Sequence, residues 1–182
     1  DEVDEVLKRV DELLKRHEET NKRLEEEIRK IHEENKRTIE ELLKEVRKRA
    51  EEVERLVRRD GPREEEIRKI EEALKRLLRE LEKHLDRSRK RLKKLLDENR
   101  RHLRELEREL DKIEEDLRRN RVPEEELKRV KERLKEIRKR AKESHDRLRE
   151  TVKELIDRNR KLLRELEEEL RKIEEKIRED AR

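Results

Sequence analysis

Residues 118–126 read RRNRVPEEE and residues 58–66 read RRDGPREEE, and these two stretches divide the chain. Each begins with two arginines at the end of a long charged segment and finishes with glutamates that open the next. Between them stands a residue suited to left-handed backbone, Asn120 or Gly61, the conformation that commonly closes a helix. Pro123 or Pro62 then suits the first turn of a new helix, where its missing N–H would be unsatisfied anyway. Glutamates at helix starts and arginines at helix ends also complement the helix dipole. The pattern predicts three helices over about residues 2–59, 63–119 and 123–180. Joints this short make sequential helices run antiparallel.

Within the first segment the inward positions run Val3, Leu7, Val10, Leu14, His17, Asn21, Leu24, Ile28, Ile31, Asn35, Ile39, Leu42, Val46, Ala50, Val53 and Val57. Their mean spacing of about 3.6 is the repeat of a straight α-helix, whereas a sustained 3.5 would impose a left-handed supercoil. Leu74, Leu92, Leu106 and Leu117 carry the stripe through the second segment, and Leu134, Leu155, Leu166 and Ile177 through the third. LLDENRRHLRELERELDKIEED at 95–116 aligns with LIDRNRKLLRELEEELRKIEEK at 155–176, so the second and third segments share a template. An echo of about eighteen residues, five full turns, also relates Thr20 to Thr38, Leu24 to Leu42 and His84 to His102. One narrow stripe per helix suits a three-helix core in which each helix faces two others. The expected fold is all-α: a single domain over residues 1–182, an elongated antiparallel up-down-up bundle of near-straight helices, monomeric, each of about 57 residues and ~85 Å.

Composition narrows the function classes. The chain is 63% charged and 27% hydrophobic, with no Cys, Met, Phe, Tyr or Trp. Heavy charge with low hydrophobicity can mean disorder, but here 59 basic and 55 acidic residues nearly cancel. A chain dominated by Glu, Lys, Arg and Leu is instead that of long helices. Without cysteine there is no disulfide framework and no thiol chemistry. The longest apolar runs are doublets such as Leu13-Leu14 and Leu95-Leu96, far short of a signal-peptide core or the ~20 residues of a membrane span. A soluble chain with no membrane partner is expected. The densest basic run, RSRKRLKK at 87–94, reads as a solvated helix face, since no aromatic is present to stack on bases; no nucleic-acid partner is expected.

Polar residues interrupt the stripes at particular depths. Folding the chain back at each joint brings Asn21 level with about position 101 of the second helix, and Asn99 level with about position 144 of the third. His17, Thr20, Asn21, Asn99, His102, Ser144 and His145 therefore converge on one cross-section. The same operation gathers Asn35, Thr38, His84, Ser88 and Asn159 about eighteen residues away, or ~27 Å at the helical rise. Elsewhere the surface is written in Glu, Lys and Arg, so these placements predict two buried hydrogen-bond networks. A buried polar group without a partner costs ~1–3 kcal/mol, so such networks would specify register and helix pairing. His32 and Thr151 read as residues at the stripe edge.

The ELERELDKIEE idiom, the eighteen-residue echo, the DGP joint and the interior Asn, His and Ser together resemble de novo designed helical bundles with hydrogen-bond networks, and the resemblance covers the whole chain. It implies a structural scaffold with no natural ligand, no cofactor and no required partner. An alternative is a pH-responsive switch driven by His17, His84, His102 and His145, since imidazole titrates near ~6.5. Another is an oligomer, or an interaction module that exchanges helices with another copy or with designed partner helices. A histidine metal site is not expected, because His17, His102 and His145 spread over ~10 Å of depth. No catalytic residues are expected either: Ser88 and Ser144 lie near histidines, but a packed rod offers no oxyanion site or substrate access.

Overall fold

The computed structural model of the chain describes residues 2–59 and 64–180. Three α-helices account for nearly all of them: α1 (Glu2–Arg58), α2 (Glu64–Arg119) and α3 (Glu124–Asp180). Acidic residues fill each first turn, and arginines stand in each last turn, as the helix dipole favours. Every inward position expected of α1, from Val3 to Val57, is buried or half-buried. No helix among the described residues is long and apolar enough to cross a membrane.

Contacts group the chain into two compact units, each built from all three helices. The first takes Asp1–Arg29 and Leu92–Lys153. Its core sets Val3, Val10 and Leu14 of α1 against Leu106, Leu110, Ile113 and Leu117 of α2 and Val130, Leu134, Ile137 and Ala141 of α3. Asp11 pairs with Arg133 and Glu18 with Arg140, each 122 positions apart in sequence, so α1 and α3 run parallel here. Asn99 meets His145 while the later Asp111 meets the earlier Arg138, so α2 and α3 run antiparallel. The second unit takes Lys30–Arg91 and Glu154–Arg182. Ile39, Val46 and Val53 pack there with Ile70, Leu74, Leu81 and Leu85 and with Leu166, Leu170 and Ile177. Its Glu54 to Lys176 pair again spans 122 positions. These exposed ion pairs contribute about 0–1 kcal/mol each, and burial of the stripes carries the stability.

The joint between α2 and α3 closes differently from the expectation. Arg121, not Asn120, takes the left-handed backbone, with φ 52°. The Arg121 N–H donates to the Arg118 carbonyl at 3.2 Å and the Val122 N–H to the Leu117 carbonyl at 3.4 Å. That pair of bonds is the Schellman motif, in which the left-handed residue follows the cap. Asn120 is the cap itself, still bonded in helical fashion to the Asp116 carbonyl at 3.0 Å. Val122 packs on the cluster that contains Leu117, the apolar contact that accompanies this motif. Pro123 stands one residue outside α3, and its carbonyl accepts the first helical bond, from Leu127 at 2.9 Å. The other joint, with Asp60, Gly61 and Pro62, lies outside the described residues.

A side chain with a Cβ is disfavoured in left-handed backbone, whereas glycine adopts it freely. Arg121→Gly should therefore raise stability by about 0.5–1 kcal/mol, after allowing for the larger unfolded-state entropy of glycine. A shift of the urea midpoint to higher concentration checks it.

Candidate functional site

Six polar side chains are buried among the apolar ones: His17, Asn21, Asn35, Ser88, Asn99 and His145. Each falls on a stripe position where the helical period would place an aliphatic residue, so each helix carries its polar atoms into the core. Their backbone groups are already used by the helices, leaving only the side chains to satisfy one another.

In the first unit the Asn21 amide nitrogen donates to the Ser144 hydroxyl at 2.5 Å, joining α1 to α3. It also lies 3.4 Å from Nε2 of His17, one turn back on α1. The Asn99 amide nitrogen lies 2.8 Å from Nδ1 of His145, joining α2 to α3. The carbonyl oxygens of Asn21 and Asn99 are buried with no protein partner. In the second unit Asn35 uses both ends of its amide: Nδ2 donates to the Ser88 hydroxyl at 2.6 Å, and Oδ1 lies 2.8 Å from Nε2 of His84. Both bonds join α1 to α2.

The expected groupings are therefore smaller than the depth of the residues suggested. Thr20 is half-buried and donates to the Arg16 carbonyl of its own helix at 3.0 Å, a local bond that satisfies the hydroxyl without crossing to a neighbour. His102 stands at the stripe edge with Nε2 3.6 Å from Glu98 and Nδ1 3.9 Å from Glu105. A half-exposed imidazole does better between two carboxylates than among buried amides. Thr38 and Asn159 are half-buried, and neither side chain makes a hydrogen bond within the described residues. His84, level with Asn159, is committed to Asn35, which leaves the Asn159 amide beside Leu85 and Arg89. His32 is half-buried, and Thr151 is exposed with its hydroxyl on the Arg147 carbonyl. A feature not anticipated is Arg89, whose Nε is buried without a partner. Its side chain is 39% exposed, so the head reaches solvent while the Nε stays covered.

Burial holds three imidazoles below their ordinary value. For His17 desolvation dominates, with repulsion from His102 and His145 adding to it and Glu18 opposing. For His84 desolvation is followed by Arg87 and Arg91, with Glu34 opposing. For His145 it is followed by Arg100 and Arg149, with Asp146 opposing. Hydrogen bonding separates the three further. Nε2 of His84 faces a carbonyl oxygen, an arrangement that an imidazolium keeps. His17 and His145 face amide N–H groups, so their facing nitrogens act as acceptors, a role that a doubly protonated ring loses. A half-turn of the Asn99 amide would present its unpartnered oxygen to a protonated His145. That preserves the count of hydrogen bonds, so the cost of desolvating the charge remains the deciding effect. No group of three or more His, Cys, Asp or Glu side chains is placed to hold a metal among the described residues.

No protein-family model matches the chain, and no curated protein matches it. Its fold is similar to that of a solved structure described as a "Computationally designed three helix bundle", with TM-score 0.77 and 18% sequence identity. The alignment covers 98% of this chain and 90% of the other. At that identity the likeness concerns the fold.

The unfolded chain takes up protons on these imidazoles before the fold does, so the stability they contribute is whole above about 6.5 and declines as pH falls from there toward the lowered folded values. Imidazole NMR titrations should place the midpoints of His17, His84 and His145 below 6.5. Urea midpoints should fall through the same window. Imidazole midpoints at or above the ordinary value would show that desolvation does not dominate.

Proposed function

We propose that this chain is a de novo designed structural scaffold, without natural ligand or catalytic activity, whose buried polar side chains specify how its helices pair. The observation that carries the reading is that each helix pair has its own buried polar contact: Asn21 with Ser144 for α1 and α3, Asn99 with His145 for α2 and α3, and Asn35 with Ser88 and His84 for α1 and α2. Sliding any helix by one turn, ~5.4 Å, would leave these donors and acceptors against leucine. Each stranded group would cost about 1–3 kcal/mol. The absence of exposed large hydrophobics among the described residues supports a monomer that needs no partner.

Buried polar contacts of this kind select among arrangements rather than add stability, so apolar replacement separates the two effects. Replacing Asn21, Asn35, His84, Asn99 and His145 by Leu and Ser88 and Ser144 by Ala, which removes the polar contact of every helix pair, should leave the thermal midpoint unchanged or raised. The same protein should show multiplied backbone amide signals as helix register becomes heterogeneous. One sharp set of signals from that variant would remove the pairing role. Removing a single partner instead, by Ser144→Ala, should cost about 1–3 kcal/mol in a denaturant titration. Light scattering should return 22.9 kDa; a dimeric or trimeric mass would favour helix exchange between copies.

A second reading, a pH-responsive switch, is favoured by the two imidazoles that accept from amide nitrogens, His17 and His145. A thermal midpoint that stays constant from about pH 7 to about pH 4 would exclude it.

A further inference from the structure

Where α2 meets α3 in the first unit, Arg138 of α3 reaches Asp111 and Glu114 of α2. Eleven residues make about three turns, so a step of eleven forward on α3 and eleven back on α2 stays on the same flank. It arrives at Arg149 and Arg100, two cations where Arg138 meets carboxylates. They flank the buried contact between Asn99 and His145: Arg100 follows Asn99 directly, and Arg149 stands one turn beyond His145. Beyond its burial, the His145 ring is repelled by both guanidiniums, with Asp146 opposing them, so the two positive fields converge on one ring. The sixty-residue template checks the placement independently. The counterparts of Arg149 and Arg100 in the second unit are Arg89 and Arg160, and these line a single crevice between α2 and α3.

Charge distinguishes the two places. In the second unit Glu82 and Asp86 offset the arginines, and Asp86 holds Arg89 at 3.2 Å. In the first unit Lys142 stands where the template has Glu82, so the matching positions hold Lys142, Arg149 and Arg100 against Asp146 alone. Neither Arg100 nor Arg149 forms an ion pair or a side-chain hydrogen bond among the described residues. The aspartates three residues before them, Asp97 and Asp146, are exposed and pair with neither, and Glu98 is held by Arg23 of α1. Both arginines are exposed, so a ligand reaches them without entering the core. A guanidinium keeps its charge and presents a planar fork of donors that matches an oxyanion. Two of them facing each other call for an ion that accepts on two sides and carries two charges. We propose that the Arg100 and Arg149 guanidiniums, one from each helix, form a binding site for a divalent tetrahedral oxyanion, sulfate or phosphate, seated over the Asn99 and His145 contact.

An ion seated there cancels the repulsion felt by His145, so that ring reports occupancy. Sulfate, which stays doubly charged while histidine titrates, replaces chloride at constant ionic strength in imidazole NMR titrations of the full chain. The His145 midpoint should rise with sulfate and saturate. That of His84 in the second unit, whose neighbour Arg91 is already paired with Glu34, should not. Methanesulfonate, with a single charge, should act only at severalfold higher concentration, and inorganic phosphate should compete with sulfate at the Arg100 and Arg149 Nε–H signals. Arg100→Gln and Arg149→Gln should each raise the His145 midpoint in chloride alone and abolish the response to sulfate. Arg171→Gln removes the same charge from an exposed pair with Glu168 in the second unit and should leave the response intact. Equal rises at His145 and His84 would overturn the site in favour of general screening, and a rise that never saturates would overturn it outright. Methanesulfonate as potent as sulfate, or phosphate that fails to compete, would remove the divalent oxyanion as its ligand. An undiminished response in both arginine variants would place the ion elsewhere.

Discussion

A helix that offers its neighbours one narrow apolar stripe buries about one side chain per turn, so any inward position that is not apolar has to be answered from another helix. That constraint organises the whole chain. It explains how a sequence only 27% hydrophobic can fold, because the aliphatic residues are confined to the stripe and almost none are spent on the surface. It also explains why Asn21, Asn35 and Asn99 could not be polar in isolation. Each sits on the stripe within a few per cent of complete burial and meets a Ser or His from a different helix.

The apolar and polar parts of the core act on different quantities. Burying a leucine contributes about 1.5–3 kcal/mol, and many such residues supply the drive to fold. Yet leucine opposite leucine discriminates weakly between one alignment and the next. Internal repeats sharpen the problem, since a segment that resembles itself five turns along presents nearly the same apolar profile after a slip. On the proposed reading, the amide, hydroxyl and imidazole groups break that equivalence because they are sparse and directional. Their number is small enough that the unpartnered oxygens of Asn21 and Asn99, each costing about 1–3 kcal/mol, are outweighed by the surrounding aliphatic burial.

Much of this was readable from residue spacing, and the failures have a common cause. The stripe of α1 and the ends of all three helices follow from period and charge alone. Depth along the axis is equally accessible, and contacts form between Asn21 and Ser144, between Asn99 and His145, and from Asn35 to His84 and Ser88. Depth is only one coordinate. Thr20, Thr38 and His102 share those levels, but at the flank of the stripe a helical carbonyl takes the Thr20 hydroxyl and carboxylates flank His102, while Thr38 stays half-buried without crossing to a neighbour. Asn159 is likewise half-buried, and its depth match, His84, is bonded to Asn35 instead. The joint at Arg121 was misread by one residue for a related reason: composition marks which residue tolerates left-handed backbone, whereas the hydrogen bonds to Leu117 and Arg118 decide which residue must adopt it.

The narrow stripe has a further consequence for the chain when it is not folded. Charged residues interrupt the sequence so often that no run of six or seven residues combines strand propensity with neutrality, the pattern that seeds cross-β assembly. Leucines that are contiguous in the folded core become isolated among lysines and glutamates once the helices melt. Melting therefore disperses the adhesive surface along the chain instead of gathering it into one exposed patch.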